Sequence, residues 1–367
     1  MKRTLSVLAL IFAVGGGTMF FSCKGEGSNG KSEATVTVLN DTAAAEVIGH
    51  KGTVTFKVEL LDAEKARSAK VWLPYPLSDA SQTISNVNIK SDSQTHGIEN
   101  DPKNGAVYLV ASWENPGATP TLTLTFDIDS HYKKLGELRE VDAPFPPEVL
   151  PYLEGSEALP LDDPLFADVA GEFKKEKSIL KRARLVYDWV IENTFRDNSI
   201  KGCGLGLPVC TLADLNGAGK CADISSVYLA VARASGIPAR DVYGLRMASP
   251  KNGEITGDFH CWLEFYLPGT GWTPIDPADV RKAMLTEELE LKDAGKWVEF
   301  FWGGDKLFRI ALNRGARDMI LSEATEAYPL TYFMYPYAEV NGEAKDFFSP
   351  ADFKYTVTLN LDSKNFL

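Results

Sequence analysis

Histidine is scarce in this chain, with four among 367 residues, and cysteine is hardly commoner at five. His50, His96 and His131 are scattered with no ligand spacing, and no second pair of Cys or His stands at zinc spacing, so the pattern argues against a zinc centre. There is no recognisable calcium loop. The glycine-rich GLGLPVC lacks the strand-then-helix setting and the trailing lysine that phosphate binding needs. Basic residues are the minority, 38 against 50 acidic ones for a formal charge of −12, and such acidity repels a phosphate backbone. Beyond the N-terminus no apolar run is long enough to span a bilayer, and there are no internal repeats. What is present, 44% hydrophobic residues, suffices for a sizeable core and two or three domains.

The exception to that apolar poverty is the first stretch. Lys2 and Arg3 precede Leu5 to Val14, and Phe20-Phe21-Ser22-Cys23 closes the run. This reads as a secretory signal over residues 1–22, too short for a comfortable span. A cysteine after a small residue resembles a bacterial lipobox, although Phe20 is not the usual leucine. The expectation is cleavage before Cys23 and lipid attachment to its sulfur, against an ordinary secreted protein or an uncleaved anchor. Residues 23–34 read as a flexible tether.

Alternating patterns then dominate residues 35–135, as in Thr35 to Leu39, Gly52 to Val58, Ala69 to Leu73, Val107 to Val110 and Leu122 to Phe126. Short strands at such spacing predict an antiparallel β-sandwich. A connector rich in proline and acidic residues follows over 136–177. Ser178 to Phe195 sets Ile179, Ala183, Val186, Trp189 and Val190 along one helical stripe. In the loop beyond, Cys203 and Cys210 are candidates for a short disulfide in an oxidising compartment, with two free thiols or a metal site as the competing readings.

The chemistry concentrates between Gly219 and Asp279. Ile224, Val227, Tyr228 and Val231 mark one face of a helix that starts near Cys221 and stops at Gly236 with Pro238 beyond. Cys221 therefore lies in the first turn, where free N–H groups and the macrodipole favour a thiolate. Phe259 to Leu267 alternates, placing Phe259, Cys261, Leu263, Phe265 and Leu267 on the core face and His260, Trp262, Glu264 and Tyr266 on the other. Trp262 and Tyr266 are thus candidate cleft walls, and Cys261 reads as inert packing. A turn leads to a weak or edge strand, Trp272 to Ile275, interrupted by Pro274 and delivering Asp276. A nucleophile, a base and a carboxylate to hold the base are the parts of thiol acyl transfer. Asp223 and Asp258 read as helix-start and loop carboxylates. Each residue also has a plainer role: a buried hydrophobe for Cys221, a core histidine for His260, a turn former for Asp276.

GKCADISS, ASGIPAR, FHCWLEFYLPGTGW and PIDPAD, in that order, resemble the transglutaminase-like cysteine enzymes. The resemblance implies an α+β fold: a papain-like transglutaminase core, a nucleophile helix packed on an antiparallel sheet, here over residues 178–290 with a C-terminal extension over 291–367 completing it. KVWLPYPLSD is similar to the β-sandwich that precedes this core in some relatives. Carried over, Cys221 is the nucleophile, His260 the general base and Asp276 its orienting carboxylate, with no cofactor and no metal required. The implied substrate is an amide in a peptide, protein or cell wall, and the implied setting is the cell envelope, with the chain anchored to a membrane by its N-terminal lipid and facing the periplasm or exterior. Three functions stay open at this level: a hydrolase (peptidase or amidase), a cross-linking protein-glutamine transamidase, and a binding lipoprotein with a vestigial triad. The aromatic run Tyr328 to Tyr337 is read either as a subsite or as interdomain packing.

Overall fold

The computed structural model describes residues 50–362 apart from 104, 132–134, 250, 306, 326–329 and 352. The expected signal peptide, Cys23, the tether and the Thr35 to Leu39 strand lie outside the described residues.

The predicted sandwich is there. Its first six strands are β1 (His50–Leu60), β2 (Ser68–Pro74), β3 (Gln82–Ser91), β4 (Thr95–Asn100), β5 (Val107–Glu114) and β6 (Thr121–Ser130). In β6 every second residue, Leu122, Leu124, Phe126 and Ile128, is buried against Val54, Phe56 and Val58 of β1. That period of two is what a sheet with one face on a core demands.

The connector carries α1 (Pro164–Phe173), capped by the Asp163 side chain on the Leu165 N–H at 2.9 Å. The striped helix follows as α2 (Ile179–Asn193), capped by Ser178, with Ala183, Val186 and Val190 buried. A two-residue strand β7 (Phe195–Arg196) pairs in parallel with β8 (Ala218–Gly219), bringing Arg196 opposite Gly219. Next come α3 (Cys221–Ala234), β9 (Ala239–Met247), the short β10 (Gly253–Glu254), β11 (Phe259–Leu267), β12 (Gly271–Ile275), α4 (Pro277–Thr286), α5 (Gly295–Phe300) and β13 (Phe308–Arg314). One sheet runs β12-β11-β9-β13, with β12 and its Pro274 on the edge as expected.

The C-terminal extension does not simply complete this unit. Among its described residues only β13 joins that sheet. β14 (Tyr337–Val340), β15 (Glu343–Ala344) and β16 (Phe353–Leu361) return to the sandwich, whose two sheets run β10-β16-β1-β6-β3 and β15-β14-β2-β5-β4. The reason is register: β16 pairs with β1 over nine residues, Gly52 to Leu60, burying Val357 and Leu359 in the sandwich core. Without β16, β1 would lose the neighbour on its other side from β6. Leu245, Met247, Phe308 and Ile310 from the β12-β11-β9-β13 sheet enter the same core, so the two units share apolar packing. From the aromatic run, Phe333 packs edge-on to Tyr108 and Tyr335 packs against Phe259 and Phe347.

The start of α3 is pinned by one carboxylate. Asp223 accepts from the N–H of Lys220 at 2.9 Å, Leu205 at 2.8 Å and Gly206 at 3.0 Å. Gly204, at φ +95°, lies so close that a Cβ there would fall 1.7 Å from Asp223 Oδ2, which only glycine avoids. Burial pushes the Asp223 carboxyl up to about 6 despite these donors. Asp223→Ala strands three backbone donors and should cost roughly 2–3 kcal/mol, read as a lower midpoint in urea unfolding. An unchanged midpoint would remove this residue from the account of how the helix start is held.

Candidate active site

Three elements converge on Cys221. The helix α3 starts at that residue, β11 supplies His260 and Cys261 behind it, and α4 starts just after Asp276. His260 lies opposite Gly244 on β9, and the close approach of β13 to that glycine, whose Cβ would meet Ile310 O at 2.0 Å, keeps the strands tight beside the imidazole. The whole centre is sequestered: Cys221 is 3% exposed, His260 4% and Asp276 2%.

His260 Nε2 is 2.7 Å from Asp276 Oδ2. That contact assigns the Nε2 proton to the carboxylate and leaves Nδ1 for the thiol. Asp276 also caps α4, its Oδ1 accepting the Asp279 N–H at 2.9 Å. Asp276 thus caps α4 with one oxygen and faces the imidazole with the other. A second acid stands behind the first: Asp279 Oδ2 is 3.7 Å from His260 Nε2, and Arg246 Nη2 donates to Asp279 Oδ1 at 2.7 Å. Arg309 donates from Nη2 to Asp276 Oδ2 at 2.9 Å and from Nε to Asp305 Oδ2 at 3.0 Å, and its guanidinium lies 4.7 Å over the Trp262 ring.

Burial alone would lower the His260 pKa, but Asp279 and Asp276 outweigh it and raise it. Burial would likewise push Asp279 up, and Arg246 with His260 overrides it and holds the carboxyl far below the usual range. Cys221 is held well below an ordinary thiol, first by a hydrogen bond from Cys203, then by one from Cys261, against burial and with His260 assisting through both hydrogen bond and charge. The neighbours show the converse. Cys203 is pushed up by its bond to Cys221 and by burial, and Cys261 by burial and then Cys221. One sulfur of three is therefore set to ionise. His260, Asp276 and Asp279 place ligand-type atoms within 4.8 Å of one another, yet Arg309 and Arg246 already neutralise the two carboxylates, so the donor set reads as an orienting network and not as a cation site.

The sequence signature of the transglutaminase-like superfamily matches residues 167–277, which span Cys221, His260 and Asp276. An uncharacterised protein of Haemophilus influenzae is 32% identical over 318 residues, 78% of this chain and 84% of that one. The chain belongs to the transglutaminase-like superfamily. YebA of Bacillus subtilis is 34% identical over 88 residues, 21% of this chain and 12% of that protein. Among solved structures, a candidate cysteine protease from Cytophaga hutchinsonii superposes with a TM-score of 0.50 over 85% of this chain and 98% of that one at 18% identity, a likeness of fold.

The structure corrects several expectations. Cys203 is a free buried thiol, so the Cys203–Cys210 disulfide is not formed. Cys203 Sγ lies 3.0 Å from the Tyr335 hydroxyl and its carbonyl accepts the Ala222 N–H at 2.9 Å, while Cys210 packs with Ala158 and Leu207. Those bonds turn Cys203 toward the helix start. Cys261 is in the core as expected, yet it is not a mere filler, since its thiol reaches Cys221. Trp262 is fully buried beneath Arg309 with Val242 and Ala311 and walls no open cleft. Tyr266 sits against Phe145 and Trp272, roughly 20 Å along the strand from His260 at about 3.3 Å per residue. Asp258 is the loop carboxylate expected, paired with Lys251 at 2.6 Å. Sequence reading missed the parts played by Arg246, Asp279, Asp305 and Arg309. Only Asp279 carried a local signal, standing three residues after Asp276 in the first turn of a helix.

Proposed function

We propose that this protein is a cell-envelope cysteine hydrolase that cleaves amide bonds through a thioester on Cys221. The observation that carries the reading is the continuous chain from the Cys221 thiol through His260 to Asp276. His260 Nδ1 takes the thiol proton, and the thiolate attacks the amide carbonyl. The Cys221 N–H, in the first turn of α3, donates to the developing oxyanion. Imidazolium then protonates the leaving amine, the C–N bond breaks, and water activated by the same imidazole resolves the thioester. General base and oxyanion donor each contribute on the order of two to four powers of ten in rate. The envelope setting rests on the leader and lipobox-like run ending at Cys23, with Cys23 as the lipid attachment point. No helix among the described residues is long and apolar enough to cross a membrane.

The rate on an amide substrate should follow a bell in pH. Below the Cys221 pKa the thiol is protonated and weakly nucleophilic, so the rate rises with pH through that value, which lies below the ordinary thiol range. Above the His260 pKa, itself raised, the imidazolium is lost and the leaving amine goes unprotonated, so the rate falls. Asp279→Asn removes a charge that raises His260 and should move the alkaline limb to lower pH. A limb that stays put in this variant would separate Asp279 from the base.

Incubating the protein with peptide and cell-wall fragment libraries, with and without an added primary amine, tests the reading. New termini by mass spectrometry, absent with Cys221→Ala, are expected. Amine adducts without cleavage would replace the hydrolase by a transamidase.

A further inference from the structure

The site sits in a ring of positive charge that the acidic chain as a whole does not foreshadow. Lys220 immediately precedes the nucleophile. Arg196 is held one residue further back across the β7–β8 pair, opposite Gly219. Lys282 comes from α4, which packs against β7, and Arg246 comes from β9 on the far side of Asp279. These groups feel one another and the thiol: Lys220 is near Arg196, Cys203 and Cys221, and Lys282 is near Arg246, Arg196 and Cys221. The acids facing them are Asp197, whose carboxylate is turned to the Ser199 N–H at 2.8 Å and hydroxyl at 2.7 Å, and Asp279, which is committed to Arg246. Asp276 is committed to His260 and Arg309. Among the described residues neither Lys220 nor Lys282 has an ion-pair partner within 4.0 Å. Lys220 is half-buried, and burial lowers its pKa, while Lys282 keeps an exposed side chain on α4. Two ammonium groups without an ion pair beside a nucleophile, in a chain of net charge −12, are cations that no structural pairing accounts for.

We propose that this ring recognises a carboxylate, and that the substrates are peptides bearing an acidic group next to the amide that Cys221 attacks. The inference rests on the amide-cleaving reading above and narrows it. A carboxylate is the anion that peptides carry without modification, and Lys220 and Lys282 offer it mobile point charges while Arg196 offers a planar fork. The alternative role for the same cations, stabilising the Cys221 thiolate alone, makes a different prediction: it speeds every electrophile equally.

Two probes of the thiol separate these. Alkylation of Cys221 by anionic iodoacetate and by neutral iodoacetamide is followed by peptide mass mapping in the full chain, and the ratio of the two rates is referenced to N-acetylcysteine. The ring should raise that ratio about tenfold at low salt, fading as salt is added. Lys220→Gln with Lys282→Gln should lower it at least about threefold, with circular dichroism confirming the fold and Lys282→Arg restoring the ratio in the single-site series. In parallel, matched peptide pools carrying Glu, Gln or Lys beside the cleaved bond should show about tenfold higher kcat/KM for Glu than for Gln, with the preference lost in the double variant. A ratio equal to that of N-acetylcysteine overturns the carboxylate site, and so does equal cleavage of the Glu and Gln pools. Cleavage that survives Cys221→Ala overturns the nucleophile assignment instead, and leaves the alkylation ratio free to report on the ring.

Discussion

Cys221→Ala should lower turnover on any substrate of this protein by about 10⁴ to 10⁶ while leaving unfolding close to that of the parent. The size of the loss follows from what the sulfur does. Without it no thioester forms, and the oxyanion donor and the bound substrate supply only the residual rate. The small structural effect follows from the setting. The thiol is buried, the change to a methyl group removes little volume, and the helix start is held by Asp223 and not by Cys221. Asp276→Asn should approach the lower end of that loss, because the amide can present its NH₂ to His260 Nε2 and reverse the tautomer that leaves Nδ1 free for the thiol. The check is kcat for each variant beside its urea midpoint. Activity retained in Cys221→Ala would point to the sandwich as the working part and to the triad as a relic.

Arg309→Met should destabilise the fold by about 3–5 kcal/mol. Arg309 is fully buried and bridges Asp276 to Asp305, with Asp279 at 4.0 Å. Removing it leaves buried carboxylates without their counter-charge, and the penalty is their desolvation, not the worth of one ion pair. Arg309→Lys should recover only part of the loss. An ammonium cannot reach both carboxylates in one plane or stack over Trp262 as the guanidinium does. Chemical denaturation gives the number directly. A Met variant within about 1 kcal/mol of the parent would mean that the carboxylates take up protons or relax toward water, and the network would then not be the scaffold of the base.

The three residues of the candidate site were legible because each sits at a local landmark: a helix start, an alternating strand, and a strand end before proline. The same locality explains what stayed hidden. Arg309 reaches Asp276 from 33 residues downstream, and nothing near either residue announces the pairing. The far face of β11 read as polar, since His260, Trp262 and Glu264 alternate with aliphatic and aromatic neighbours. In the fold that face is buried too, with Trp262 under Arg309 and Glu264 paired to Arg240 at 2.8 Å. Alternation registers side-chain chemistry and cannot tell water from a charge network as the partner of a polar face. The Cys203–Cys210 bridge failed for a related reason. Spacing permits a bond, but the backbone of the 203–210 loop is committed to α3 through Cys203 O and through the Leu205 and Gly206 N–H groups. The return of β14 to β16 to the sandwich is likewise a matter of long-range strand pairing, which short periodic segments do not specify.

The central claim is that Cys221, alone among Cys203, Cys221 and Cys261, is a nucleophile set up by His260. Iodoacetamide labelling across a pH series, mapped to individual cysteines, tests it most directly. The account predicts that Cys221 reacts first, at pH values below the ordinary thiol range, and that His260→Ala moves its reactivity to higher pH, the Cys203 and Cys261 donors remaining, while Cys203 and Cys261 stay unlabelled until the protein unfolds. Labelling of Cys203 or Cys261 at a comparable rate, or a Cys221 profile indifferent to His260, would contradict it.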